Sequence, residues 1–329
     1  MSQPNDSAAR KRRFGGTRAH TVPKFYLNGF VAPASAANCD PFVWIGSLKT
    51  GEITRRSPKN ISIARGLYDG QGGFIEPDAT IEAHLAKIES AASTAIRSLA
   101  ASPIGNGIGV APAIWRFLAW QAARTPGWME FVERWIGEHP SISETDVVEP
   151  PPPGFETAVR RVRPILLEDP ATGIRCEATD EKEIETYRKR GWKFVLRRDD
   201  HLELLHWQAW YFQVRHFPRL SWTRLQPPAG KFFITSDRAV AWLVDGYHGE
   251  TPPSALRDPA AWVFAPLTKD LALVGRRGSD PVEFTPWGVN SCIAIAASTW
   301  IAGPTREVVR QALVQRALFE LEAVTTLRI

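Results

Sequence analysis

Residues 231–244 read KFFITSDRAVAWLV, and here the hydrophobic pattern of the chain changes. Lys231–Thr235 and Ala239–Val244 are short runs of aromatic and β-branched residues, cut by the turn-forming pair Ser236-Asp237. Trp262–Ala265 and Leu271–Val274 repeat the pattern, with Gly, Pro and Asp between the runs. Four such runs predict a small antiparallel sheet. Upstream, the period is three to four. Ile81, Leu85, Ile88, Ala92, Ile96 and Leu99 lie on one helical face, with Asp78 placed to cap it. A second helix begins near Ala113, carries Ile114, Phe117, Leu118 and Trp120, and must kink or end at Arg124-Thr125-Pro126. The pattern resumes through Trp128, Phe131, Val132 and Trp135. Helices followed by strands give an α+β fold, a helical layer packed beside a small antiparallel sheet.

Working outward, Pro23 stands where a first helical turn begins, and Phe25, Tyr26, Leu27 and Phe30 follow it, which predicts a short helix. Phe42–Leu48 and Glu52–Arg56 flank Lys49-Thr50-Gly51 as a hairpin, and Asn60–Tyr68 adds a third extended segment. The run EPPPPG at 149–154 breaks helical periodicity. Glu181–Arg190 reads as an exposed helix, Leu202–Phe217 as a buried one, and a closing helix after Gly303-Pro304 runs through Val308, Leu313, Leu318 and Leu321. The organisation expected is a disordered basic tail over 1–18 and an N-terminal helix, hairpin and helical layer over 19–137. A proline-rich linker or loop over 138–160 and an α+β part over 161–329, packed on the first half as one unit, complete it.

Composition narrows the class. Hydrophobic residues at 44% and charged residues at 23% are ordinary globular usage. Residues 1–24 carry six basic side chains against Asp6, which accounts for the whole net charge of +5. The other 305 residues balance 34 basic against 34 acidic, so the body exerts no bulk pull on a polyanion. Cys39, Cys176 and Cys292 are odd in number and widely spaced, without a CxxC pair, which suits a reducing compartment. No secretory leader or membrane span is legible, and Cys292–Ala302, the most apolar stretch, is too short to cross a bilayer. A soluble, cytoplasmic protein is expected.

Four separated motifs carry a family resemblance: His20-x-x-Pro23-x-x-Tyr26-Leu27-x-x-Phe30, Ser57-Pro58-Lys59-Asn60, Gln121-x-x-Arg124-Thr125-Pro126, and Phe233-Ile234-Thr235-Ser236-Asp237. In this order they resemble the bacterial family called domain of unknown function 4238, from about residue 19 to about residue 300. Such proteins often look like Ser-Asp-x-Pro at the last motif; here Arg238-Ala239 follows, and a looser turn is expected. The resemblance supplies positions and no reaction.

The side chains at those positions suggest chemistry. His20, before a helix, suits a general base, a metal ligand or a cap. Gln121 and Arg124 share a helical face and can reach one anion together, or Arg124 can pair with Glu82 or Glu89, which lie on one face of the preceding helix. Ser236 and Asp237 end a strand, where Asp237 suits an acid, base or metal ligand, or simply closes a turn. Other constellations fail. His201 and His206 are five apart, wrong for a helical zinc pair, and Gly105-x-Gly107-x-Gly109 lacks dinucleotide-loop spacing. There is no Walker loop, no Gly-x-Ser-x-Gly elbow and no cysteine in a nucleophile's signature.

Three readings stand together. In the first, His20, Arg124 and Asp237 converge on one cleft with Gln121 and Ser236 in support, and a phosphodiester or nucleotide-directed hydrolase of defence type results. It acts on nucleic acid or a nucleotide, with a divalent metal of unassigned identity. In the second, a non-catalytic binding or interaction protein keeps these motifs as structure and recruits its partner through the basic arm. The third is a transferase acting on a small molecule or peptide.

Overall fold

The computed structural model describes residues 18–35, 40–65, 81–102, 110–125, 165–178, 180–194, 205, 209, 212–244, 247–248, 262–276 and 285–326. The tail, Asp78, the 126–164 segment with its polyprolines, Cys39 and the pair His201 and His206 lie outside them.

Strand β1 (Arg18–His20) leads to helix α1 (Lys24–Asn28), which starts directly after Pro23 at φ −65°. The expected hairpin is present as β2 (Val43–Ser47) and β3 (Ile53–Arg56), with Gly51 at φ 69° supplying the left-handed residue of its turn. Then β4 (Ile63–Arg65) pairs antiparallel with β1, not with the hairpin. Helix α2 (Ile81–Ala101) buries Leu85, Ile88, Ala92, Ile96 and Leu99, the predicted stripe. Against it packs α3 (Pro112–Ala123), opened by a first-turn proline and burying Ile114, Phe117 and Leu118.

Next come β5 (Ile165–Glu168), β6 (Arg175–Ala178), α4 (Glu181–Lys189) and β7 (Lys193–Phe194). The Asp180 carboxylate caps α4 by accepting from Glu183 N at 2.8 Å. Strands β6, β5 and β7 form a three-stranded sheet that the sequence pattern does not announce, over a small core of Leu167, Ala178 and Ile184. The buried helix expected over Leu202–Phe217 is helical at Leu205 and Ala209, but Phe212–His216 is a π turn and Phe217–Arg219 a 3-10 turn. Proline at 218 has no N–H to continue the ladder.

The second half completes two larger sheets with β8 (Ser221–Leu225), β9 (Thr235–Ser236), β10 (Ala241–Val244), β11 (Tyr247–His248), β12 (Trp262–Thr268) and β13 (Leu271–Arg276). Helix α5 (Pro286–Ala296), β14 (Trp300–Gly303) and α6 (Arg306–Thr326) close the chain. The predicted antiparallel sheet exists, ordered β11-β10-β12-β13-β8. It gains β8 and β11, which the sequence runs do not predict, and loses the strand expected over Lys231–Thr235. That run contributes only β9, which joins a different sheet ordered β3-β2-β14-β9. The reason lies in the backbone of 232–234, which bonds elsewhere. Phe233 N donates to Lys269 O at 2.8 Å, while the Asn290 amide takes Ile234 N at 3.0 Å and reaches Phe232 O at 2.9 Å. A side-chain amide stands in for a neighbouring strand.

The four-stranded sheet unites the two ends of the chain, with Trp44 opposite Gly303 and Gly46 opposite Ile301. Helix α6 lies across it so closely that a Cβ on Gly46 would stand 2.8 Å from both Leu313 Cδ1 and Val309 Cγ1. Gly46→Ala is therefore expected to cost about 1–3 kcal/mol through overpacking, and Leu118→Ala about 2–5 kcal/mol through cavity formation. Urea unfolding measures both. A change within error at either position would contradict the packing described.

Candidate functional site

Around α1 meet the turn of the second motif, the helix that carries the third and the strand of the fourth. Tyr26 is buried, and its hydroxyl donates to Pro266 O on β12 at 2.6 Å and lies 3.0 Å from Thr235 Oγ1 on β9. Its ring stands 5.2 Å from that of Phe30 and 5.7 Å from Phe117 on α3, and Phe25 also reaches Phe117 at 5.1 Å. The 3-10 turn Pro58–Asn60 of the second motif packs on α1 too. Burial pushes the Tyr26 phenol above its ordinary range, against a smaller lowering by Thr235, so it stays neutral and donates.

Gln121 and Arg124 are brought together, four residues beyond Phe117 and at the end of α3. Arg124 is 1% exposed, and both terminal nitrogens donate to Glu89 Oε1 on α2, at 3.1 and 3.2 Å. With its amide oxygen turned to the guanidinium, Gln121 accepts from Arg124 Nε at 2.7 Å and from Nη2. Of the two acids offered by the helical face, Glu89 takes the role and not Glu82. The group satisfies a buried cation and leaves the guanidinium little reach toward a ligand.

Ser236 and Asp237 form a second group. The Asp237 carboxylate is buried and accepts from both residues of a Ser-Thr pair. Oδ1 accepts from Ser298 N at 3.0 Å. Oδ2 accepts from Thr299 N at 2.9 Å, from Thr299 Oγ1 at 2.8 Å and from the Ser298 hydroxyl. Asp237 N in turn donates to Trp300 O at 3.3 Å. The carboxylate thus fastens the link between α5 and β14 to β9. Ser236 Oγ donates to Arg238 O at 2.8 Å and accepts from Arg238 N at 3.1 Å. That bracket closes the turn which the missing proline would have stiffened.

His20 belongs to a third group. Its Nδ1 lies 3.2 Å from Ile61 O, and since a carbonyl only accepts, Nδ1 carries the proton. Thr21 N and Thr21 Oγ1 both reach Ser62 O, at 2.9 and 3.4 Å. Among the described residues, no hydrogen bond or ion pair joins His20, Arg124 and Asp237 to one another. Nor do three His, Cys, Asp or Glu side chains group there as metal ligands. Burial pushes the Cys292 thiol up to about 11, so at neutral pH it is not the thiolate a nucleophile requires. No described helix is long and apolar enough to cross a membrane.

The sequence profile described as "Protein of unknown function (DUF4238)" matches residues 18–303 of the 329. The chain belongs to that family. No curated protein and no solved structure matches it significantly. Three residues of this DUF4238 protein that organise the groups escape sequence reasoning: Asn290, Ser298 and Thr299. A faint signal exists, since Ser298 and Thr299 are polar residues inside the apolar stretch Cys292–Ala302 and Asn290 stands just before it. Two substitutions test the geometry. Tyr26→Phe is expected to cost about 1–3 kcal/mol, because the Pro266 carbonyl is left buried and unpaired. Glu89→Ala, which strands a buried guanidinium, is expected to cost about 3–5 kcal/mol. Chemical denaturation measures both, and neutral substitutions would contradict the bonding described.

Proposed function

We propose that this protein acts by binding and not by catalysis, with its shared polar motifs serving the fold and its basic arm recruiting the partner. The observation that carries the reading is the state of Asp237. A general base needs a lone pair directed at substrate, and a metal ligand needs one directed at the ion. All four donors around this carboxylate are supplied by Ser298 and Thr299. A metal or substrate would have to displace a set that also holds α5 to β14. Arg124 supports the same reading, because Glu89 and Gln121 occupy its fork. Cytoplasmic residence is part of the proposal and follows from the three unpatterned cysteines.

The hydrolase reading supplies the opposite expectation, so one experiment separates the two. Asp237→Ala should lower the melting temperature and cost more than about 2 kcal/mol, because it orphans buried donors. The wild-type protein should leave nucleic acids and nucleotides intact with magnesium, manganese, zinc or calcium. Metal-dependent hydrolysis that is abolished by Asp237→Ala and by His20→Ala, at unchanged melting temperature, would overturn the binding reading and establish the hydrolase.

A further inference from the structure

The charge balance of the body conceals one strongly uneven segment. Residues 49–65 contain Lys49, Arg55, Arg56, Lys59 and Arg65 against a single acid, Glu52. Part of this segment lies on the edge of the four-stranded sheet. Strand β3 is the outer strand of its sheet, and both its arginines are exposed. The turn that follows carries Lys59, which pairs with the exposed Asp40 at 3.2 Å. Strand β4 comes next, and the register sets Arg65 directly opposite Arg18 on β1.

Arg55 shows what this border is built to hold. Its guanidinium lies 4.9 Å from the centre of the Phe42 ring and 4.8 Å from that of Trp44. The rings themselves meet edge to face at 5.8 Å. Neither Arg55 nor Arg56 has a carboxylate partner among the described residues. Charges on an edge strand do discourage pairing with other chains, but a mobile lysine serves that purpose. A planar cation held against two aromatic rings is restrained instead, and Arg55 stays exposed while it is so held.

We propose that the β3 edge and Lys59 form a binding surface for single-stranded nucleic acid, an inference that rests on the binding reading above. Neighbouring side chains leave a strand on opposite faces, so the phosphates would follow the edge between Arg55 and Arg56 toward Lys59, and a base would stack on Arg55 and its aromatic support. A single extended strand matches a border one strand wide. An acidic polypeptide would use the charges and leave the aromatic support idle.

The test is fluorescence anisotropy of a labelled oligothymidylate with the full chain over a series of salt concentrations. The wild type should bind, with log affinity falling linearly against log salt. Arg55→Gln with Arg56→Gln and Lys59→Gln should weaken binding more than about tenfold and lower the salt slope by about 2. Arg188→Gln with Lys189→Gln and Arg190→Gln removes the same charge from α4 and its C-terminal end, and should change affinity less than about threefold. If circular dichroism shows the first variant unfolded, Arg56→Gln with Lys59→Gln carries the comparison, since neither side chain seats on the rings. No binding by the wild type, an equal loss in the α4 variant, or tighter binding of polyglutamate would each overturn the surface. Failure of binding with hydrolysis also absent removes this surface alone. An oligonucleotide that is bound here and cleaved keeps the surface and overturns the binding-only reading.

Discussion

A buried phenol has to find partners for its hydroxyl, and the partners chosen by Tyr26 tie this fold together. The hydroxyl joins β12 through Pro266 O and β9 through Thr235, while the ring rests on Phe30 and on Phe117 of α3. Through one side chain the first motif touches the helix of the third and the strand of the fourth. The two larger sheets also meet there, because β12 belongs to one and β9 to the other. Losing the hydroxyl would leave a buried carbonyl unpaired, so the identity of this residue is constrained by packing and polarity together.

From that centre the other polar motifs read as fastenings in series. Glu89 neutralises Arg124 and Gln121 accepts from its Nε and Nη2, which fixes α2 against the end of α3. Asp237 fixes the α5–β14 connection to β9, and Asn290 replaces a strand partner for Phe232 and Ile234. Arginine serves helix ends elsewhere as well. Arg224 donates to Ser102 O and Ala100 O at the end of α2, and Arg316 donates to Ile295 O and Ala294 O at the end of α5. Polar groups are thus placed where backbone carbonyls or carboxylates would otherwise be buried without partners.

Local patterns were legible, and long-range partners were not. The apolar stripe of α2, the proline start of α1 and the hairpin around Gly51 follow from periods and turn chemistry within a few residues. The strand expected over Lys231–Thr235 failed because its backbone bonds to Asn290, more than fifty residues away, and to Lys269. The motifs identified the right positions, yet residue type alone does not separate a carboxylate that works on a ligand from one that holds two hydroxyls and two amides. Ser298 and Thr299 decide that question for Asp237, and nothing in their sequence spacing points to it.

The account turns on the Asp237 carboxylate being permanently engaged by the backbone of 298 and 299. Native-state hydrogen exchange of the Ser298 and Thr299 amides measures this directly. If Asp237 is a fastening, both amides exchange only through openings as costly as those that expose the buried core, and Asp237→Asn speeds them selectively. If both amides exchange in the wild type as fast as those of the exposed hairpin turn, the carboxylate is free to serve a ligand, and the central claim is wrong.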